Sequence, residues 1–468
     1  MKKINDIKAL QIAILTLSVI TCSLQSCKED WLEVKQDKKL AIPSTVRDFQ
    51  SMLDNPSLNS NYALVLGEIA SDGHYYTIAN YIAMGPSSYY YMQNAYTWTT
   101  IQPFESRSEY SSIYSVPYAY ILKMNIILDE AQKSSDNDKA GLEQVKAQAL
   151  FHRGLNFFNL AQVFADVYKP SDAQSHLGLA LRLSTDINEP SVRSSLKRTY
   201  EQIISDLTRA KEILPDNPEV LTRPSKSAAL AILAKIYLSM GDYQNAIIHA
   251  NDYLKIKNEL LDYSTISQSA NYIGINKEVA FIDFLARFSQ VTTQYLINQD
   301  LYDSFDLNDL RKKIFFKLGT AGIQFKGTYG SAAADVFSGV ATDEIYLIRA
   351  ECYARTGNVN LAMKDLNDLV RTRWAKNSDG SSTYTDRIAL DETDALRKIF
   401  IERKKQLILR GVRWTDIRRL NQEPRFAVTL TRTIDNKQYT LEPTSLRYTF
   451  PFPAEAIQRS TMQQNPGW

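Results

Sequence analysis

Cysteine and histidine are scarce in this chain, with three and four copies in 468 residues. The histidines lie at positions 74, 152, 176 and 249, in none of the close pairings that bind catalytic zinc. Of the three cysteines, the first two belong to the N-terminal segment discussed below, so no pair is left for zinc or for a disulfide. We therefore predict neither a metal site nor a cofactor.

An excess of one charge is also lacking, since 54 lysines and arginines face 52 aspartates and glutamates. Nucleic-acid binding needs a concentration of positive charge against the phosphates, and no region of the chain is strongly basic. We predict no nucleic-acid partner.

Known catalytic motifs occur only in fragments. Residues 194–197 fit S-x-x-K and residues 135–137 spell S-D-N, but the second precedes the first and no K-T-G follows. The glycines between 319 and 330 lack the Gly-Lys-Ser/Thr end of a phosphate loop. A glycosidase carboxylate pair is defined in space, so a hydrolase stays open as an alternative, although nothing in the sequence marks such a pair.

The first 26 residues have the order of a secretory signal peptide. Three lysines fall within the first eight residues, an apolar run covers residues 9–20, and two serines follow. The run is shorter than the about 20 apolar residues that a membrane-spanning helix needs. We therefore predict that residues 1–26 are a leader that is cleaved on export.

Cys27 follows Leu24-Gln25-Ser26, which resembles the lipobox of bacterial lipoproteins. Cleavage before Cys27 would expose a thiol and an amine for acylation, and two or more acyl chains anchor a protein stably. We predict lipidation of Cys27 and a tether over residues 27–45. The charges of residues 28–30 resemble the signal that sends some lipoproteins to the outer face of the outer membrane.

Most of the chain has the period of amphipathic helices. Apolar residues recur every three or four positions over 143–168 and over 199–214, where Thr199 is the predicted N-cap. Segments 227–255 and 344–373 both predict helical hairpins, with turns at Gly241 and Gly357. Small residues along the helices and a glycine at the turn are typical of tetratricopeptide repeats.

Two long insertions interrupt this pattern. Residues 71–100 are rich in tyrosine and show no sustained helical stripe, and residues 319–340 are rich in small residues. Loops longer than about 12 to 15 residues in a compact domain are usually functional or disordered, and so many aromatic residues argue against disorder.

The C-terminal half resembles the SusD/RagB family of nutrient-binding outer-membrane lipoproteins. The resemblance rests on DEIYLIRAECYARTGNVNLAMKDLNDLVRTR (343–373), IFIERKKQLILRGVRWTDIRRLN (399–421) and YTFPFPAEAIQRSTMQQNPGW (448–468), in that order. With the lipobox and the helix around 146–166, it spans nearly the whole chain. The charged and aromatic residues of the second motif predict a structural junction between a helix and the next segment. They are Glu402, Arg403, Arg413, Trp414 and Asp416.

This resemblance implies an all-α fold, a single large domain of four tetratricopeptide-like helix pairs with long irregular loop insertions. Its two regions would be residues 46–225 and 226–468. It also implies a protein that is not an enzyme, binds oligosaccharide or polysaccharide, and acts as a lid over a TonB-dependent β-barrel transporter of the SusC type. The alternatives are a peptide or another non-glycan nutrient as ligand, or a mainly structural lid.

Tyrosine and tryptophan suit glycan recognition because a flat apolar face carries a polar edge. In the family, the loop that corresponds to residues 71–100 supplies part of the glycan contacts, and we expect a second contribution from segment 272–295. The predicted ligand-binding residues are Tyr75, Tyr89, Tyr90, Asn94, Tyr96, Trp98, Arg287 and Phe288.

Overall fold

The structure is a computed structural model that describes residues 42–84, 90–99, 108–286 and 294–468. Within these residues the architecture is helical, as predicted. The helices are α1 Val46–Leu53, α2 Ala63–Ala70, α3 Ile78–Met84, α4 Tyr90–Thr97, α5 Ser108–Lys133, α6 Lys139–Phe164, α7 Leu196–Ile213, α8 Lys226–Met240, α9 Tyr243–Ile256, α10 Gln299–Asp303, α11 Arg311–Ile314, α12 Thr342–Arg355, α13 Val359–Arg371, α14 Glu392–Gln406, α15 Arg413–Leu420 and α16 Ala454–Gln458. In this part of the chain, no helix combines the length and the apolar character needed to cross a membrane.

The predicted hairpin of α8 and α9 is confirmed. Ser225 caps α8 by accepting a hydrogen bond from the Ala228 amide at 3.1 Å. Gly241 ends the helix at φ 75°, a left-handed conformation that suits glycine. Asp242 then caps α9 through the Asn245 amide, at 3.1 Å. Local capping chemistry therefore sets the turn.

The hairpin of α12 and α13 follows the same rule. Gly357 lies between the helices at φ 81°. The two hairpins pack against each other through α9 and α12, and α8 also contacts α7. With α5 and α6 on one side and α14 on the other, neighbouring helices form a continuous row, the tetratricopeptide-like architecture that the sequence predicts.

The described residues also include short strands. They are β1 Ser60–Asn61, β2 His74–Tyr76, β3 Leu177–Ala180, β4 Arg193–Ser195, β5 Val279–Phe281, β6 Phe284–Leu285, β7 Tyr295–Ile297, β8 Phe316–Gly319, β9 Gly322–Phe325, β10 Val340–Ala341, β11 Leu430–Ile434 and β12 Lys437–Leu441. Antiparallel pairs join β2 to β7, β3 to β4, β5 to β10, β8 to β9 and β11 to β12, and β1 pairs in parallel with β6.

Two local predictions were wrong. The described residues of segment 71–100 include β2, α3 and α4, so this insertion is not irregular throughout. Helix α7 begins earlier than predicted, and its N-cap is Ser195, whose hydroxyl accepts from the Arg198 amide at 3.1 Å. Thr199 instead lies buried inside the first turn, where its hydroxyl accepts from the Leu179 amide at 3.1 Å and so ties α7 to β3.

The family motif around α14 and α15 is a network of buried ion pairs. Glu402 binds Arg311 at 2.7 Å, and Arg403 binds Asp416 at 2.7 Å and Glu344 at 3.2 Å. Such pairs hold one arrangement of elements because breaking one leaves an uncompensated buried charge.

Helix α15 is fixed in the same way at its first turn. Arg413 binds Asp72 with contacts of 2.5 and 3.0 Å. Trp414 is buried and packs on Tyr448, with ring centroids 5.0 Å apart. These contacts support the structural role predicted for the motif, and they fasten the C-terminal region to the end of α2.

Candidate functional site

The tyrosine-rich segment is positioned by the pairing of β2 with β7. His74 pairs with Ile297, Tyr75 with Leu296, and Tyr76 with Tyr295. Side chains alternate along a strand, so His74 and Tyr76 point into the core and Tyr75 points outward.

Helix α4 is mostly buried. Six of its eight residues are buried, and Tyr90 and Gln93 are the two half-buried ones. Trp98, directly after the helix at a φ of 53°, is also buried. The Tyr96 ring packs edge-on against Tyr76, with ring centroids 4.9 Å apart, and its hydroxyl accepts from the Tyr76 amide at 3.2 Å.

Three predicted ligand residues therefore lie in the core. Asn94, Tyr96 and Trp98 are 0%, 3% and 1% exposed. The indole Nε1 of Trp98 donates to the Ala70 carbonyl at 3.0 Å, so its only polar group has an internal partner. These side chains cannot touch a ligand in this conformation, which corrects the prediction that they form the contact surface.

The hairpin of β11 and β12 covers this buried layer. Asp435 and Asn436 form its turn, with φ angles of 48° and 59° that match the favoured two-residue hairpin turn. Arg432 extends from β11 over the Tyr96 and Trp98 rings, 3.6 and 4.6 Å from their centroids.

Arg432 also clamps the hairpin to the backbone of the tyrosine-rich segment. Its guanidinium donates to the carbonyls of Tyr96 and Ser71. Burial of the guanidinium lowers the pKa of Arg432 to about 10, with the Tyr96 ring and Asp72 acting in the opposite direction. The hairpin is therefore held at a fixed distance from α4.

Three half-buried tyrosines meet at the outer edge of this assembly, and we call them the tyrosine face: Tyr81, Tyr90 and Tyr439. The ring centroids of Tyr81 and Tyr96 lie 6.1 Å apart. Burial raises the pKa of Tyr81 to about 12, and the nearby Tyr439 and Tyr90 act in the same direction. Gln93 donates to the Tyr81 carbonyl at 2.9 Å and so joins α3 to α4.

Tyr75 lies apart from this face, on the other side of β2. It is 36% exposed, and its hydroxyl lies over the turn of β8 and β9. At Gly322, φ is +135°, and a Cβ would come within 3.0 Å of Leu296 and 3.1 Å of the Tyr75 hydroxyl. Only glycine allows this approach.

The remaining predicted residues, Tyr89, Arg287 and Phe288, lie outside the described residues. Sequence reasoning missed Tyr81 and Tyr439 as candidates. Tyr81 belongs to the tyrosine-rich segment, but only recognition of α3 and α4 could have separated outer from inner rings. Tyr439 comes from far along the chain, and its alternating strand offers no local signal for this contact.

The chemistry available at the tyrosine face is that of ring faces and phenol hydroxyls. Lys437 adds a positive charge, with its Nζ 4.9 Å from the centroid of the Tyr439 ring.

The carboxyl of Glu68 does not belong to the tyrosine face and is buried. Burial raises its pKa to about 7, and it accepts a hydrogen bond from the Gly411 amide at 2.9 Å. Among the described residues, no group of three or more histidine, cysteine or acidic side chains is arranged to hold a metal.

A helical-repeat protein with an aromatic surface on an insertion is the class that this fold and surface define. Residues 30–238 match a model of SusD-like proteins, described as starch-binding and associating with the outer membrane, and residues 343–468 match the model of the SusD family. The chain belongs to the SusD/RagB family.

Individual relatives agree with this assignment. The SusD-like protein P2 of Formosa agariphila is 25% identical over 431 residues, which cover 76% of this chain and 80% of that protein. A SusD superfamily protein from Bacteroides thetaiotaomicron has a TM-score of 0.72 at 21% identity, covering 90% of this chain and all of the other. A structure described as a laminarin-binding SusD-like protein has a TM-score of 0.60 at 18% identity, covering 90% of this chain and 98% of the other.

Proposed function

We propose that this protein binds oligosaccharide or polysaccharide at the tyrosine face without cleaving it. The observation that carries the proposal is the geometry of Tyr81, Tyr90 and Tyr439, three half-buried rings from separate elements above a fixed aromatic layer. Sugar rings have apolar C–H faces that stack on such rings, and phenol hydroxyls bond to their edges. The family description as starch-binding, and the laminarin-binding relative, support the same ligand class.

The buried layer matters to this function because it fixes the tyrosine face before the ligand binds. A ring that is ordered before binding loses little conformational entropy when the ligand arrives, so more of the contact energy appears as affinity. Arg432 and Gln93 supply this order by bonding the hairpin and α3 to α4.

The same proposal includes location and partner. The protein would be anchored by acyl chains on Cys27 at the outer membrane, face the exterior, and pass its ligand to a TonB-dependent β-barrel transporter of the SusC type. The lipobox and the family description as associating with the outer membrane support this placement.

The test is affinity gel electrophoresis of the purified full-length protein in mild detergent against a panel of polysaccharides that includes starch and laminarin. We expect retardation by at least one polysaccharide, and a loss of about tenfold or more in affinity for Tyr439→Ala and Tyr90→Ala. Tyr237→Ala is the matched control, because Tyr237 is a half-buried tyrosine on α8.

Three outcomes would contradict the proposal. If Tyr439→Ala and Tyr90→Ala both bind polysaccharide as tightly as the parent, the tyrosine face is not the site. Failure of every polysaccharide, with binding of peptides, would favour a non-glycan nutrient. Release of reducing ends from a bound polysaccharide would show a hydrolase.

A further inference from the structure

A second concave site lies away from the tyrosine face. It is a groove between the first half of α5, the loop 182–191 and the C-terminal segment 453–462, with a volume of about 370 Å³. Two other cavities in the described part of the chain have volumes of about 30 and 20 Å³, enough for single waters. The groove alone among these three has the size of a small-molecule site.

Apolar side chains form its walls. The rings of Tyr114 and Tyr118 lie 4.6 Å apart on α5, and Met462 approaches the Tyr114 hydroxyl at 4.0 Å from the C-terminal segment. The Tyr118 hydroxyl donates to the Ala180 carbonyl at 2.9 Å, which fixes this ring in the wall. Ile187 closes the opposite side and is 76% exposed.

The loop that forms one rim is held in place by internal hydrogen bonds. Asn125 donates to the carbonyls of Arg182 and Ser184 at 3.0 and 3.2 Å. The Arg182 guanidinium in turn donates to the Asp186 carbonyl at 2.6 Å and to the Ser191 hydroxyl at 3.1 Å. The groove is therefore formed before any ligand arrives.

Several polar groups at the mouth of the groove can form further hydrogen bonds with a ligand. Within the described residues, the Arg459 guanidinium makes no hydrogen bond or ion pair, and neither does the exposed Ser115 hydroxyl. One oxygen of the Glu455 carboxylate accepts from the Ser111 hydroxyl at 2.7 Å, which leaves the other for a ligand. A cation, a hydroxyl and a carboxylate oxygen thus surround an apolar wall.

We propose that this groove binds a mono- or disaccharide. A sugar offers a C–H face for the tyrosine rings and hydroxyls for the arginine, serine and glutamate at the mouth. A volume of about 370 Å³ is near the lower limit for ligand sites, about 300 Å³, which suits one or two sugar rings rather than a length of polymer. The groove shares no lining residue with the tyrosine face, so its occupancy is independent of the function proposed above.

The test is calorimetric titration of the purified full-length protein in mild detergent with glucose, galactose, mannose, glucuronate and their disaccharides. We expect at least one to bind. Ser115→Leu fills the mouth and Arg459→Ala removes the free cation, and each should weaken binding at least tenfold. Both positions are exposed, so neither change disturbs the core.

Two controls separate this site from the rest of the molecule. Arg209→Ala removes an exposed arginine on α7 and should bind the sugar like the parent. Tyr439→Ala alters the tyrosine face and identifies any sugar binding that belongs to that face. The inference is overturned if no sugar of the panel binds, or if binding survives Ser115→Leu and Arg459→Ala. A sugar lost in Tyr439→Ala but not in Ser115→Leu would belong to the tyrosine face and would equally overturn it.

Discussion

Replacing Arg432 by methionine tests whether one cation fixes the hairpin of β11 and β12 on the aromatic layer. The change removes hydrogen bonds to the carbonyls of Tyr96 and Ser71 and the contacts with the rings of Tyr96 and Trp98. Methionine keeps much of the apolar volume of the side chain, so cavity formation is a small part of the effect.

The magnitude follows from two stabilising contributions and one opposing cost. Each hydrogen bond to a charged group contributes about 1.5–3 kcal/mol, and each ring contact about 0.5–2 kcal/mol. Against this, the variant no longer desolvates a guanidinium, which costs several kcal/mol in the parent. Arg432 is also half-buried, so water can reach part of the site in the variant. We expect a net loss of about 2–4 kcal/mol in the free energy of opening the hairpin.

Hydrogen exchange measured by mass spectrometry is the suitable assay, because the loss is local. Amides of residues 430–441 should exchange about 30-fold to 1,000-fold faster in Arg432→Met, which corresponds to about 2–4 kcal/mol at about 1.4 kcal/mol per tenfold change. Arg209→Met on α7 is the control and should leave them unchanged. Less than a twofold change in Arg432→Met would refute the proposed clamp.

Three further predictions concern separate parts of the chain. Burial raises the pKa of Asp283 to about 8 from an ordinary 3.8, so its contribution to stability is full below pH 4 and is lost as the pH rises through 8. Between pH 5 and pH 8.5 this decline amounts to about 4 kcal/mol, which is three pH units at about 1.4 kcal/mol each, and Asp283→Asn should remove it. Urea unfolding that shows the same decline in both proteins would contradict this expectation. Gly322→Ala should lower the free energy of unfolding by about 1–3 kcal/mol, because a Cβ meets Leu296 and Tyr75 at a φ of +135°; a urea midpoint equal to the parent's would count against this close approach, with Gly380→Ala as a control for φ alone. Cys27→Ser should abolish incorporation of labelled palmitate and release the protein from membranes, and labelling that persists would exclude Cys27 as the acylated residue.

The helical scaffold could be predicted because its signals are local. Gly241 and Gly357 mark turns that each depend on a few neighbouring residues, and the apolar period on either side is long enough to recognise. Thr199 shows the limit of such signals, since Ser195 offers an equally good cap one turn earlier. The Thr199 hydroxyl instead accepts from the Leu179 amide of β3, a tertiary contact that the local sequence does not indicate.

The site could be predicted only as a region. Six of the eight residues of α4 are buried, and they do not follow a single apolar stripe along the helix. The order of tyrosines along the segment therefore does not indicate which rings face inward. The contact with Tyr439 depends on tertiary packing of a hairpin more than 300 residues later, which no local pattern encodes.

Separate inner and outer rings have a consequence for how ligand choice can vary in this fold. Tyr96 and Trp98 are fixed by bonds to the backbone, so their replacement changes stability before it changes recognition. Tyr90 and Tyr439 belong to the half-buried tyrosine face, where another side chain can replace them without leaving a cavity in the core. The buried layer thus preserves the position of the tyrosine face, while the side chains of the tyrosine face determine which ligand groups are contacted. Substitutions in the tyrosine face should therefore change which polysaccharide binds, whereas substitutions in the layer beneath should lower the affinity for all of them through disorder of the same surface.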